Sequence, residues 1–314
     1  MKRSVSVVPS IAAKVYNEPS HESSSCHMLR DDLSLGIMPF YNLDEYVLFH
    51  VNQGEDRSVR RAVSSAFGRE DRSARLAENL AEFVRSAART AVFYGDAHYE
   101  VVLDGFEQRR SSTRDGVEDG LRFRVESILP LTVYRSLTQI VQRIPAEDSA
   151  SHRQETIVLD STRTFEVALP GISRDRWLRL LDGLVEVDRS WLRGDLPFNQ
   201  GFDPSVQQRL VQQSQLYITG SIPWVRAGRI PKELSEIYLV HRWLRMQRFV
   251  YVLRASIIAA MNDMLAIAGV AKGFHAQIEI TGLPTCGDVD AAIEQLLAGT
   301  VGPEVIDAFI RSTR

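Results

Sequence analysis

Cysteine is nearly missing from this chain: Cys26 and Cys286 are the only two in 314 residues. Two thiols so far apart cannot make the disulfide framework of a small secreted domain, and a reducing compartment is the simpler expectation. Lysine is almost as scarce. It occurs at Lys2, Lys14, Lys232 and Lys272, so arginine supplies nearly all of the 37 basic side chains. Arginine favours paired or bidentate contacts with carboxylates and phosphates, which suits interfaces, although a biased genomic base composition gives the same excess. An excess of either charge is missing too. The formal net charge of −3 argues against a globally basic nucleic-acid binder and leaves room for a local basic surface.

Catalytic signatures are absent as well. The chain has no glycine-rich phosphate loop, zinc-protease pair, nucleophile elbow or kinase motif set, which points away from an enzyme. The most apolar stretch, residues 255–271, is interrupted by Asn262 and Asp263 and preceded by Arg254. Polar groups at that depth argue against a membrane span. The opening MKRSVSVVPSIAAKVYNEP lacks the sustained apolar core of a signal peptide.

What is present is enough apolar material, 44% of residues, for a substantial core. The most informative stretch is 71–104. Leu76, Leu80, Phe83, Val84, Ala87 and Ala91 recur at helical steps. After Tyr94-Gly95-Asp96 the period becomes two: Ala97, Tyr99, Val101 and Leu103 alternate with His98, Glu100 and Asp104. This predicts a buried helix, a tight turn at Gly95 and a half-buried strand whose polar residues face solvent or another subunit.

The pattern divides the rest into four parts. Residues 1–32, with the Ser-rich HESSSCH, read as a flexible arm. Within 33–172, NLDEYVLFHV fits either a short helix or a strand, a helix is expected over 58–67, and QRRSSTRDGVEDG reads as a polar loop between two strands of a hairpin. Further strands are expected within 131–144, at 156–159 and at 164–168. Residues 173–273 turn helical, first along Trp177, Leu180, Leu181, Leu184 and Trp191, then along Val206, Leu210, Val211 and Leu216. The longest periodic segment follows over 231–268. Its stripe is Ile237, Val240, Leu244, Leu253, Ile257, Met261 and Met264, with Gly269 as its expected stop. A helix of that length reaches on the order of 55 Å and needs neighbours along its whole extent. Residues 274–314 give one strand, with Phe274, Ala276, Ile278 and Ile280 on one side, and two short helices.

Three groups of residues invite chemistry. Asp96, His98 and Glu100, with Asp104, could hold a divalent metal or act as an acid and base. A solvated or intersubunit face gives the same alternation. His21, Cys26 and His27 lack the second ligand pair of a structural zinc site. Arg242, Arg245 and Arg248 recur every third residue of the long segment and could face DNA phosphates or pair with Glu233, Glu236 or Asp263.

The element order resembles the portal proteins of tailed bacteriophages and gene-transfer particles. In that family a helix leads through a Tyr-Gly-Asn-Ala-like turn into a strand, and AVFYGDAHYEVVLDG is similar, with Asp96 where Asn is usual. The ending QIEITGLPTCGDVDAAIEQLLAGTVGPEVIDAF resembles the family's tail. The resemblance covers about half of the chain, which is short for the family, and 177–230 matches nothing in it. It implies an α+β subunit, a helical body with a long, stem-like, ring-forming helix and a β-rich wing joined at Tyr94, Gly95 and Asp96. It implies no catalytic residue and no cofactor. It further implies a homo-oligomeric ring, commonly dodecameric, at one capsid vertex of a virion, assembled in the host cytoplasm. Such a ring passes double-stranded DNA without sequence specificity and meets the terminase, the major capsid protein and the head-tail adaptor. The alternatives are a metal-dependent enzyme using Asp96, His98 and Glu100, or a helical scaffold or regulatory oligomer.

Overall fold

From Glu236 onward the longest periodic segment folds as one helix, and six of the described elements pack on it. This computed structural model describes residues 23–51, 57–68, 75–103, 121–135, 139–144, 156–193, 204–224 and 236–305. The first half runs α1 (Ser24–Leu35), the single turn α2 (Leu43–Tyr46), β1 (Val47–Val51), α3 (Arg57–Phe67), α4 (Leu76–Tyr94), β2 (Asp96–Val102) and β3 (Arg124–Ile128). Then come β4 (Val133–Arg135), β5 (Ile140–Arg143), β6 (Thr156–Leu159) and β7 (Thr164–Ala168). The second half is α5 (Arg174–Arg193), α6 (Pro204–Ile218), α7 (Glu236–Lys272), β8 (Ala276–Ile280) and α8 (Cys286–Leu297). The class is α+β, with small antiparallel sheets beside a helical body.

α7 packs on α1, α4, α8, β2, β7 and β8. Leu244, Val250, Leu253, Ile257, Met261, Met264, Leu265 and Ala268 are all fully buried, and at about 100° per residue they share one side of the helix, an arc of about 180°. Length and composition alone would let α7 cross a membrane, and 44% of its most apolar window is buried inside the chain. The neighbours that such a helix needs come, on its buried side, from the chain's own sheets and helices. Ile237, expected in the stripe, is exposed. Gly269 is not the stop either. The helix continues to Lys272 and ends at Gly273, whose φ of 78° is the left-handed conformation that glycine tolerates. Gly269 instead admits a close crossing, since a Cβ there would lie 2.3 Å from the carbonyl oxygen of Phe274.

Three sheets surround this axis. β1 pairs with β8 across the length of the chain, Phe49 opposite Ile278. β2 is the centre of the order β3-β2-β7, and β5 of β4-β5-β6. The strands expected at 156–159 and 164–168 both form, yet they belong to different sheets: the chain crosses over at Asp160, whose carboxylate accepts from the Thr162 N–H at 2.9 Å. The second sheet has its own small core of Ile128, Val133, Ile140, Ile144, Ile157 and Leu159.

The flexible arm expected over 1–32 is also corrected from Ser24 onward. Ser23 accepts from the Cys26 N–H as an N-cap, and Cys26, Leu29 and Leu33 enter the core at the steps of three and four that a buried helix requires. Residues 1–22, the polar loop within 108–120, Asp104, Glu233 and 306–310 lie outside the described residues. NLDEYVLFHV resolves into both options, one helical turn and then β1. α6 forms where expected, but Val206 and Leu210 point outward, so its face is not a core face.

Candidate functional site

The joint between helical body and sheets is built at Tyr94-Gly95-Asp96. α4 is held by its core side, Leu80, Val84, Ala87, Ala91 and Val92, and by Trp177, whose indole N–H donates to the Val92 carbonyl at 2.9 Å. Gly95 takes φ 93° and its N–H closes on the Ala91 carbonyl at 2.7 Å. The same glycine lets α5 approach, because a Cβ there would stand 2.8 Å from Cγ and 3.1 Å from Cα of Arg174. Tyr94, Gly95 and Asp96 thus set the direction in which β2 leaves the body. Tyr94 lies against Phe93, ring centroids 4.7 Å apart.

The alternation of β2 is present, but its polar side does not face solvent. Asp96, His98 and Glu100 are all buried, at 7%, 7% and 3% exposure. The turn at 130–132 packs on β2 and Arg174 lies against Asp96, so the side opposite Tyr99 and Val101 is covered too. Asp96 Oδ2 lies 3.5 Å from His98 Nε2 and 3.6 Å from Arg174 Nη1, and Asp96 Oδ1 is buried without a hydrogen bond. Arg174 Nη1 also donates to the Pro130 carbonyl at 3.3 Å. Across the sheet His98 sits opposite Glu166, which pairs with Arg135 at 3.0 Å. The expected solvent or intersubunit face is thereby corrected to an internal polar seam tying β2 to α5 and to the second sheet.

That seam does not assemble a metal site. Among the described residues no group of three His, Cys, Asp or Glu side chains is arranged to hold one. Cys26, expected beside His27, is buried and its thiol points to the Leu181 carbonyl at 3.4 Å, while His27 is exposed. His21 lies outside the described residues.

The three arginines of α7 part company. At about 100° per residue, steps of three rotate the side chain by about −60° each time, so 242 and 248 lie about 120° apart. Arg242 is buried and donates to the carbonyls of Trp224 at 3.1 Å, Leu216 at 3.0 Å and Thr219 at 3.2 Å, and to the Thr219 hydroxyl at 2.8 Å. It satisfies the open carbonyl end of α6. Burial pulls its pKa below the ordinary arginine value, opposed by a hydrogen bond with Tyr238, and it stays charged. Arg248 is exposed and pairs with Asp290 of α8 at 2.6 Å, which raises its pKa. Arg245 is exposed and makes neither contact. Neither a common DNA-facing row nor pairing with Glu236 or Asp263 is what the fold makes of them.

The sequence reading missed two polar anchors on α7, the buried Arg254 and the half-buried Asn262. Arg254 donates to the Ile37 carbonyl at 3.3 Å and to the Pro284 carbonyl, with its guanidinium 4.7 Å from the Tyr251 ring centre. Asn262 binds the backbone of β8 on both sides of Ile278. An arginine and an asparagine inside an apolar helical run were the available signal, since such groups are buried only with partners. Comparison with protein-family models and with curated proteins gives no match to this chain.

Proposed function

We propose that this chain is the subunit of a portal-like ring through which double-stranded DNA passes into and out of a capsid. The observation that carries the reading is the unbroken 37-residue α7. It is covered on its buried side by its own chain, yet open along Arg245, Arg248, Ala255, Ala259, Asp263, Ala266 and Val270. Those positions alternate in steps of three, four and seven, the seam spacing along which a helix meets another helix. Closed cyclic symmetry is the ordinary way for one surface patch to repeat around an axis. The α4-Gly95-β2 joint followed by two small sheets supports a wing beside this helix. Capsid protein, terminase and head-tail adaptor are the partners that such a ring meets, and a chain of net charge −3 suits a channel that must let DNA slide.

Light scattering and negative-stain microscopy of the full chain test this. The expected result is a ring with a central hole and a mass many times that of one subunit. A strict monomer under all concentrations and salts overturns it. A dimer or trimer without a channel supports the helical scaffold reading instead.

A further inference from the structure

The outer face of α3 is a row of arginines without a carboxylate partner among the described residues. Several other arginines of the described surface have a carboxylate: Arg75 with Asp44, Arg89 with Glu82, Arg124 with Glu126, Arg135 with Glu166, Arg189 with Glu186 and Arg248 with Asp290. Arg57, Arg60 and Arg61 are exposed, α3 contains no acidic residue, and among the described residues none of the three makes an ion pair or hydrogen bond. At about 100° per residue they fall within one arc of about 100°, opposite Val59, Val63, Ala66 and Phe67, which are buried.

The helix under them is fixed. Phe67 packs edge-on against Phe83 of α4 at 4.9 Å, and Asn79 donates to the Ser64 hydroxyl at 2.7 Å and to the Ser64 carbonyl at 3.2 Å. Like charges three and four residues apart on a helix repel one another weakly, and a bound anion relieves that repulsion.

We propose that α3 is a contact surface for the phosphate backbone of nucleic acid. The composition of the face distinguishes this partner from an acidic protein. A protein interface needs an apolar centre within its polar rim, whereas the exposed residues of α3 are Arg57, Arg60, Arg61 and Ser65. Guanidinium forks and a hydroxyl are what phosphate oxygens take, and they read no sequence. Three charges per subunit make a weak, salt-sensitive contact that grips without stopping a sliding duplex. The choice of double-stranded DNA rests on the ring reading; the arginine row itself does not.

Fluorescence anisotropy with a labelled random-sequence duplex tests it, using the full chain between about 50 and 200 mM salt. Each neutralised phosphate contributes about −0.9 to the slope of log K against log salt. The triple variant Arg57→Gln, Arg60→Gln, Arg61→Gln is expected to lose up to about 2.7 of that slope per subunit, with unchanged circular dichroism. The control Arg176→Gln, Arg179→Gln, at exposed arginines of α5, is expected to leave the slope unchanged. No duplex binding by wild type, an unchanged slope in the triple variant, or binding of poly-glutamate in place of DNA each overturns the proposal. Sizing the same samples separates the two readings: a ring whose slope ignores α3 refutes this inference alone, and a monomer that binds DNA through α3 refutes the ring alone.

Discussion

Asn262 and Ile278 are joined by two hydrogen bonds that make a helix side chain act as a neighbouring strand. The Asn262 amide donates to the Ile278 carbonyl at 2.9 Å, and its oxygen accepts from the Ile278 N–H at 2.8 Å. β8 has β1 on one side only, and at Ile278 this amide closes the other edge. Two turns of α7 further toward its N-terminus, Arg254 ties the same helix to the segment after β8.

Asn262→Leu removes both partners at once and leaves a buried N–H and carbonyl unsatisfied. Each such group costs about 1–3 kcal/mol, so a loss of about 2–4 kcal/mol is expected in urea unfolding. Asn262→Asp keeps only the acceptor and is expected to fall between wild type and Leu. Equal stability of all three would show that water satisfies this edge.

Gly95→Ala and Gly171→Ala separate two costs. Both glycines have positive φ, 93° and 67°, and both substitutions incur about 1–2 kcal/mol for that conformation. At Gly171 nothing lies within 4 Å of the new methyl group, whereas at Gly95 it meets Arg174, backbone included. Overpacking adds about 1–3 kcal/mol. Thermal unfolding is expected to rank Gly95→Ala as clearly the less stable, and near-equality of the two would remove the close α5 contact from the account.

Arg242→Met is expected to release α6. It deletes four donated bonds and leaves their acceptors open, for a loss of about 3–5 kcal/mol, as when one partner of a buried charged network is removed. Hydrogen exchange in Pro204–Ile218 reads this locally, and faster exchange there with little change in α4 is the expected pattern. Arg245→Gln, at an exposed position without such contacts, is expected to change neither.

Tyr99 links stability to alkaline pH. Burial raises its phenol pKa well above the ordinary value of 10.0, so the folded state holds the neutral form while the unfolded chain ionises. Its contribution is full below about pH 10 and is lost as the pH rises from there toward the higher folded value. Ultraviolet titration should show a tyrosine that ionises only as the fold opens. Tyr99→Phe should unfold at a higher pH in an otherwise matched titration; an unchanged alkaline midpoint contradicts the assignment.

Local periodicity was legible because it is a property of neighbours in sequence. The steps of Leu76 to Ala91 placed α4, the change of period after Gly95 placed β2, and the alternation of Ala276, Ile278 and Ile280 placed β8. α1 was legible too, in Cys26, Leu29 and Leu33 behind Ser23, beneath a serine-rich composition that resembles a tail. Asp96, His98 and Glu100 show why the site was not. Alternation tells which residues share a side of a strand, and only the strand's neighbours tell whether that side is wet.

The sequence by itself determined the α+β class, the long helix and the turn at Gly95, since each follows from dihedral preference and the spacing of apolar residues. Tertiary structure alone decided that β6 and β7 join different sheets, that Arg242 and Asn262 serve backbone groups, and that α7 is covered on its buried side by its own chain. Those outcomes depend on which distant carbonyls and N–H groups need partners, and that demand exists only once the elements are packed together.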